Sequence, residues 1–208
     1  MKIVSYNIHK GMDSKNKPTL KKMGDYLLSL ECDIICLQEV LYHQYMGLKK
    51  ILKMEGVFAA NVKNATMLYG ICIFSIKKIA YSQHELITSM KEQRGFIHAN
   101  VFSDIGCINV INTHLGLNEE ERKVQIDEIL NYIYEIENIV FCGDFNEKNI
   151  SINIYSDAAI SEKKQNMCTF PKSDSRIDYI FIEKSMYIQN YFVDRVEFSD
   201  HYPIIAKI

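Results

Sequence analysis

The chain has 208 residues, 48% of them hydrophobic, so it can bury a sizeable core and is expected to form a single domain over residues 1–208. Its formal net charge of −2 argues against the overall basic field that drives unspecific binding to long nucleic acid, although a cleft can still be locally positive. The six cysteines form no CxxC pair, and neither a signal peptide nor an apolar run of about 20 residues is present, which predicts reduced thiols, a cytoplasmic protein and no transmembrane segment.

The hydrophobic pattern predicts a mixed order of strands and helices along the chain. Strands are expected near 2–8, 33–38, 57–61, 67–75, 79–87, 96–103, 106–113, 138–143, 176–183, 186–194 and 202–207, and helices near 18–30, 43–55, 118–136 and 151–160. The helix near 118–136 is expected to have an apolar face formed by Leu117, Ile126, Ile129, Leu130, Ile133 and Ile136. This mixture predicts an α/β fold in which helices cover the sheets.

The stretch NIVFCGDFNEKN at 138–149 begins as an apolar run and ends in a cluster of oxygen-bearing side chains. In one interpretation Gly143 and Asp144 form a turn and Asn146 caps the segment after it, because these residue types favour turns and helix starts. In the other, a buried strand brings Asp144, Asn146 and Glu147 to a divalent cation. This stretch alone leaves both interpretations open.

The same arrangement, an apolar strand with polar residues at its end or within it, recurs in six segments. These segments contribute Asn7; Gln38 and Glu39; Asn112 and His114; Asp144 and Asn146; Asp178; and Asp200 and His201. A buried, unpaired carboxylate costs several kcal/mol, so Glu39 in DIICLQEV needs a partner. Mg²⁺ prefers oxygen ligands and is commonly held by one or two carboxylates, whereas a Zn²⁺ site would need Cys or His at ligand spacing.

These residue types supply the groups that hydrolysis of a phosphate ester needs. His201 is a candidate base, held in one tautomer by Asp178. His114 is a candidate to stabilise or protonate the leaving group. Asn7 and Asn146 are candidates to orient phosphate or water.

The ordered motifs YNIHKG, LQEV, NTHLG, CGDFN, RIDYIF and SDHYPI resemble the endonuclease/exonuclease/phosphatase superfamily. The motifs run from residue 6 to residue 204, so the resemblance covers nearly the whole chain. It implies an α/β (α+β) four-layer sandwich, in which two packed mixed β-sheets are flanked by helices and the site lies at one end.

The resemblance also implies roles for individual residues. Glu39 is expected to be the principal Mg²⁺ ligand, with Asn7 and Asp200 close to the metal. Asp144 and Asn146 are expected to position or activate water and to bind the scissile phosphate, and the pair Asp178–His201 to supply acid–base function. The expected contacts to substrate are Asn7, Tyr69, Arg94 and Asn112. Arg122 and Gln125 are expected to support structure.

Departures from particular branches of the superfamily narrow the expected function. Apurinic-site endonucleases of this superfamily carry an acidic residue where this chain has His9, and they lack the NTHL motif at 112–115. His114 is similar to the branch that includes secreted deoxyribonucleases, sphingomyelinases, inositol-phosphate phosphatases and deadenylases. His9 is either a substrate contact or a structural loop residue. His43, His84 and His98 are expected to be surface or packed histidines.

The predicted function is hydrolysis of a phosphodiester by direct attack of water, with Mg²⁺ as cofactor and Mn²⁺ as a substitute. A small-molecule or lipid-headgroup phosphodiester is the favoured substrate, because the charge is near neutral and the chain is short. The alternatives are a nuclease acting on DNA or RNA and a catalytically silent scaffold of the same fold. The oligomeric state is not predicted.

Overall fold

The computed structural model describes residues 1–104 and 106–208. The strands and helices formed by these residues are β1 (Lys2–Asn7), α1 (Leu20–Ser29), β2 (Ile34–Leu41), α2 (Tyr42–Leu52), β3 (Glu55–Lys63), β4 (Leu68–Ser75), β5 (Ile79–Ile87), β6 (Arg94–Ser103), β7 (Gly106–His114), α3 (Glu119–Tyr132), β8 (Ile139–Asp144), β9 (Tyr155–Asp157), α4 (Ala158–Ser161), β10 (Asp178–Glu183), β11 (Asn190–Val193) and β12 (Ile204–Lys207). None of the helices within these ranges is long and apolar enough to cross a bilayer.

The strands of the described residues form two sheets of six. The first sheet has the order β11-β12-β1-β2-β4-β3, and the second has the order β5-β6-β7-β8-β10-β9. Each sheet contains one parallel pair, β1 with β2 and β7 with β8, and its other neighbours run antiparallel. The two sheets are therefore mixed, as the family resemblance implies.

Three apolar clusters hold the layers together. Residues such as Ile3, Ile34 and Val140 fill the space between the sheets. On the outer face of the first sheet, residues such as Val4 pack against α1 and α2. On the outer face of the second sheet, residues such as Phe141 pack against α3. Because side chains alternate between faces, strands that are buried on both sides read as the continuous apolar runs seen in the sequence. The predicted sandwich flanked by helices is confirmed.

The helix α3 is shorter than predicted and begins one residue after its cap. The Asn118 side chain accepts a 3.0 Å hydrogen bond from the Glu121 amide, which satisfies a free N–H group of the first turn. Ile129 and Ile133 are buried against the second sheet, but Leu117 is 75% exposed. Including Leu117 in the apolar face was wrong, because this residue precedes the cap and lies outside the helical periodicity.

The predicted helix near 151–160 is largely replaced by the short strand β9 and the single turn α4. Asp157 separates the two elements: its carboxylate accepts a hydrogen bond from the Ala159 amide and a two-pronged ion pair from Arg176, at 2.8 and 3.1 Å. The Arg176 guanidinium also lies 4.3 Å from the Tyr179 ring centre. An ion pair between distant residues thus fixes where β9 ends. The periodicity of apolar residues contains no information about such a pair, so it predicted a helix.

Candidate active site

The candidate site lies where the central strands of both sheets end. In the first sheet, the parallel pairing of β1 with β2 aligns Asn7 with Gln38. In the second, the parallel pairing of β7 with β8 aligns His114 with Asp144, and antiparallel β10 places Asp178 opposite Asp144. Since the carboxyl ends of parallel strands lie at the same edge of a sheet, these polar segments meet at one end of the sandwich.

Asn7 joins the two sheets at this end. Its amide nitrogen donates hydrogen bonds to Glu39 Oε1 at 3.2 Å and to Asp144 Oδ2 at 2.9 Å. Its side-chain oxygen accepts from the His9 backbone amide at 3.0 Å, which fixes the orientation of the carboxamide. Asn7 is fully buried. One side chain therefore sets the spacing between a carboxylate of the first sheet and a carboxylate of the second.

Glu39 lies in a β-bulge near the end of β2. Leu37 pairs with Cys72 and Val40 with Gly70, so β2 contains one residue more than its neighbour over this interval. Glu39 has a φ of 56°, a left-handed conformation that non-glycine residues rarely adopt. Bulges re-aim side chains, and residues in such conformations cluster at functional sites. The bulge gives the half-buried Glu39 the orientation in which it meets Asn7.

Asp178 and His201 form a hydrogen-bonded pair, as the sequence predicts. His201 Nδ1 lies 2.9 Å from Asp178 Oδ2, and His201 Nε2 lies 3.6 Å from Asp144 Oδ2. The Phe170 ring centre is 4.7 Å from that of His201, in a tilted contact. Burial lowers the pKa of His201, but the carboxylates of Asp178 and Asp144 outweigh burial and raise the pKa to about 10. The environment favours imidazolium.

Asp144 is the most connected residue of the site. Its Oδ1 accepts a 2.9 Å hydrogen bond from the Asn146 amide, and its Oδ2 accepts from Asn7. Burial raises its pKa to about 6, opposed by His201 and reinforced by the Asp178 carboxylate. Gly143 allows this approach: its φ is +146°, and a Cβ there would collide with the backbone oxygen of Thr113 on β7.

Asn146 lies in a bend two residues after the end of β8, where its backbone N–H donates to Asp144 Oδ1. Its φ is 51°, which asparagine tolerates better than most residues. Its side-chain nitrogen donates a 2.9 Å hydrogen bond to the Leu115 backbone oxygen, so this residue links the ends of β7 and β8. Gly143 and Asp144 are the last two residues of β8, so the interpretation in which they form a turn is wrong. A buried strand brings Asp144 to the site, and the binding of a cation there stays a prediction.

His114 and Arg94 extend the site along the second sheet. His114 Nε2 lies 3.5 Å from Asp144 Oδ2, and His114 Nδ1 lies 3.2 Å from Arg94 Nη1. The same Arg94 nitrogen donates to Glu92 Oε1 at 2.5 Å. Burial, followed by the positive charge of Arg94, holds the pKa of His114 well below its usual range. The sequence does not mark Glu92 as a site residue, except that it lies two residues before Arg94.

Tyr69 lies beside Glu39 on the first sheet. It is 5% exposed, and burial together with the nearby Glu39 carboxylate raises the pKa of its phenol. The Lys10 amine lies 5.2 Å from the centre of the Tyr69 ring. Sequence reasoning missed Lys10 as a site residue; the available signal was its position within YNIHKG, three residues after Asn7.

The prediction that Asn112 contacts substrate is wrong. Asn112 is fully buried, and its amide nitrogen donates to the backbone oxygens of Leu37 and Cys72 at 3.0 and 2.9 Å. Its side-chain oxygen accepts a 2.7 Å hydrogen bond from Gln38. These partners belong to the opposite sheet, and the carboxamide has no further N–H to offer a ligand. Asn112 ties the sheets together beneath the site.

Asp200 lies beside the end of β1. Ser199 Oγ donates to the Asn7 backbone oxygen at 2.8 Å and to Asp200 Oδ1 at 3.3 Å. His9 Nδ1 is 3.7 Å from the same Asp200 oxygen. The segment before β12 thus brings a second carboxylate, after that of Glu39, to the end of the first sheet, next to Asn7.

The remaining predicted residues lie away from these carboxylates. Arg122 donates to the Gly116 backbone oxygen and pairs with Glu147, and Gln125 hydrogen-bonds both Gly116 and Thr88. These contacts are within the fold, in keeping with a supporting role. The other histidines behave as surface or packed residues: His43 is exposed, His84 contacts Asn61, and His98 is buried against Tyr132 and Asn109.

The carboxylates at this end suit a hard cation. Glu39 and Asp200 offer carboxylate oxygens, which Mg²⁺ prefers, whereas Asn7 turns its N–H groups towards Glu39 and its side-chain oxygen towards the His9 amide. A second grouping, Asp144, Asp178 and His201, has ligand atoms within 4.8 Å of one another. In that grouping His201 and Asp178 are already hydrogen-bonded to each other. We therefore favour the residues around Glu39 as the candidate metal site.

Solved structures share this architecture. The endonuclease/exonuclease/phosphatase from Bacteroides vulgatus has a TM-score of 0.81 and 21% identity, covering 99% of this chain and 97% of that one. TDP2 from D. rerio, in complex with a single strand DNA product, has a TM-score of 0.81 and 19% identity, with the same coverage. At such low identity these similarities define the fold class, a mixed α/β sandwich with two six-stranded sheets.

A sequence model of the Endonuclease/Exonuclease/phosphatase family matches residues 4–201. The chain therefore belongs to this family, whose members are hydrolases that act on phosphoester bonds. The uncharacterized protein YbhP of Escherichia coli K12 is 25% identical over 168 residues, which is 70% of this chain. The chain covers 66% of the length of that curated relative.

Proposed function

We propose that this chain is a Mg²⁺-dependent phosphodiesterase that cleaves its substrate by direct attack of water. The observation that carries the proposal is the meeting of two groups at Asp144. Asn7 hydrogen-bonds both Glu39 and Asp144, and His201 of the Asp178–His201 pair faces the same Asp144 oxygen, Oδ2, at 3.6 Å. A cation-binding carboxylate, a proton acceptor and a charged donor are thereby held within one polar cluster.

Asp144 is the proposed base that accepts a proton from the attacking water. The Asn146 amide fixes its Oδ1, which keeps the carboxylate in one orientation. A base works best when its pKa lies near the working pH, and burial raises the pKa of Asp144 to about 6. This assignment replaces the sequence-based prediction that His201 is the base.

His201 is the proposed cation at the scissile phosphate and the proton donor to the leaving oxygen. It lies between the carboxylates of Asp178 and Asp144, which together stabilise a doubly protonated ring. A ring held in that form has no free nitrogen with which to accept a proton from water. Its Nδ1–H donates a hydrogen bond to Asp178, so the Nε2–H is the group that can donate a proton to the substrate.

Glu39 and Asp200 are the residues that would hold Mg²⁺, with Mn²⁺ as a substitute, and Asn7 lies beside them and holds Glu39 in place through an N–H group. When bound there, the ion would neutralise the negative charge that develops on the phosphoryl oxygens. Asn7 has a second task, since its amide also hydrogen-bonds Asp144. Through this residue the position of the metal ligand Glu39 is tied to the position of the base.

The proposed substrate is a small-molecule or lipid-headgroup phosphodiester. The net charge of −2 supports this class, because it gives no overall positive field that would attract a long nucleic acid. A chain of 208 residues also has little surface along which such a polymer could bind. A second candidate is a phosphodiester in single-stranded nucleic acid. It is supported by the structural similarity to TDP2 bound to a single strand DNA product, and by two cations, Lys10 and Arg94, beside the site.

The test is hydrolysis of bis(p-nitrophenyl) phosphate beside p-nitrophenyl phosphate, with Mg²⁺, with Mn²⁺ and with chelator. We expect cleavage of the diester that depends on the metal and is lost with chelator. A short DNA oligonucleotide is assayed in parallel at 50 and 200 mM salt. Absence of hydrolysis of all three compounds, in protein that binds Mg²⁺, would contradict the proposal and favour a silent scaffold of the same fold.

A further inference from the structure

His114 has a defined partner at each ring nitrogen. Pairing of β6 with β7 sets Phe96 opposite Thr113, which brings Arg94 at the start of β6 beside His114 at the end of β7. Arg94 Nη1 lies 3.2 Å from His114 Nδ1, and Asp144 Oδ2 lies 3.5 Å from His114 Nε2. The ring is 5% exposed. One nitrogen faces a cation and the other faces a carboxylate.

These partners determine where the ring can carry its proton. A guanidinium has five N–H donors and no acceptor, so a hydrogen bond between Arg94 and Nδ1 requires a lone pair on Nδ1. The proton of a neutral ring must then be on Nε2, facing Asp144. We propose that Arg94 holds His114 in the neutral Nε2–H tautomer, so that His114 is a fixed hydrogen-bond donor in the reaction and not a source of protons.

Arg94 is itself held in the position from which it can fix the tautomer of His114. Its Nη1 also donates to Glu92, which anchors the guanidinium from the solvent side, and the Arg94 side chain is about as buried as His114 itself. The charges that face His114 are the cations Arg94, Lys10 and His201 and the carboxylate of Asp144. Burial and the three cations hold the pKa of His114 well below its usual range, which agrees with a neutral ring.

The inference rests on the proposed function and gives the reaction its proton balance. A neutral ring that released its Nε2 proton would become an imidazolate anion, which is not accessible near neutral pH. In the proposed step, the water oxygen bonds to phosphorus and its proton passes to Asp144, while the bond to the leaving oxygen breaks and that oxygen takes the His201 proton. Asp144 Oδ2 lies 3.6 Å from His201 Nε2, so the proton on Asp144 can afterwards return to His201.

The kinetic test compares His114→Gln with His114→Ala. Glutamine supplies an N–H donor but no acidic proton. We expect His114→Gln to keep kcat within about 10-fold of wild type and His114→Ala to lose about 100-fold, the lower end of what the loss of one preorganised hydrogen-bond donor costs. Equal losses of about 100-fold or more in both variants would mean that His114 gives up a proton, and would overturn the inference. His201→Gln and His201→Ala are the matched control, in which both variants are expected to be equally impaired.

A second measurement is independent of turnover. Long-range ¹H–¹⁵N spectra of the histidine rings, assigned with His114→Gln, report which nitrogen of His114 is protonated. We expect a neutral ring with the proton on Nε2 from pH 6 to 8. A doubly protonated ring, or one protonated on Nδ1, would overturn the inference even if no substrate is known. If the ring has the expected form but no phosphoester is cleaved, the proposed function fails and the tautomer assignment stands.

Arg94 itself is tested as a positioning residue. Arg94→Met removes the donor but keeps an unbranched side chain, and Arg94→Lys restores a positive donor on a shorter reach. We expect Arg94→Met to produce a detectable Nδ1–H tautomer and a lower kcat, with partial recovery of both in Arg94→Lys. A change confined to KM, with unaltered ring signals, would mean that Arg94 only binds substrate and would overturn its positioning role. Melting temperatures of both variants confirm that they are folded.

Discussion

The substitution Asp178→Asn removes one negative charge from the buried pair with His201 and keeps the size of the side chain. In the wild-type protein the pKa of His201 rises from 6.5 to about 10. This rise corresponds to roughly 5 kcal/mol by which the folded protein stabilises the protonated ring relative to the unfolded chain. Asp178 makes the 2.9 Å hydrogen bond and is the larger of the two carboxylate contributions, ahead of Asp144. The variant therefore loses a large part of this stabilisation.

The sign of the pH dependence follows from the raised pKa. Between about pH 6.5 and pH 10 the folded protein binds the His201 proton and the unfolded chain does not. The stabilisation is complete below pH 6.5 and is lost as pH rises through 10, with a slope of at most about 1.4 kcal/mol per pH unit. We expect Asp178→Asn to cost about 3 kcal/mol or more at pH 7, and progressively less towards pH 10.

Urea unfolding in chelator at pH 7, 8.5 and 10 measures this difference. The matched control is Asp157→Asn, which breaks the buried ion pair with Arg176. Arginine does not titrate in this range, so the cost of the control substitution should be independent of pH. If the cost of Asp178→Asn were equally constant, or grew towards pH 10, the account of a charged His201 would be refuted.

Three further predictions concern the role of single residues and the class of substrate. Asn112→Ala should lower the free energy of unfolding by about 3 kcal/mol or more, because three buried hydrogen-bonding groups lose their partner; urea unfolding and an unchanged KM would check this. His201→Ala should reduce kcat by about 100-fold or more, and a loss of only a few fold would remove it from the chemistry. Cleavage of a small diester should depend weakly on salt, whereas the steep slope of counterion release would favour the nucleic-acid alternative.

The general architecture could be predicted because several local signals agree. Strands buried on both faces give continuous apolar runs, and polar residues close to strand ends mark the edge where a site can form. The pairing of Asp178 with His201 was expected from the motifs, and the structure contains it. What each of these residues does in the reaction remains a prediction.

The features that the sequence did not reveal depend on contacts between distant segments. The buried amide of Asn112 looks like a ligand in the sequence, because nothing local indicates that the opposite sheet supplies its partners. The helix predicted near 151–160 is interrupted because Arg176, in the segment before β10, holds Asp157. The sequence also does not give the distance between His201 and Asp144, one of the two carboxylates that raise the pKa of His201.

Diester hydrolysis by wild type and Glu39→Gln across a titration of Mg²⁺ tests whether Glu39 holds the metal on which turnover depends. Glu120→Gln, an exposed substitution on α3, is the matched control. We expect Glu39→Gln to remain folded, to lose nearly all turnover and no longer to respond to the cation, while the control behaves as wild type. Wild-type turnover and metal response in Glu39→Gln would contradict the assignment of Glu39 as a metal ligand.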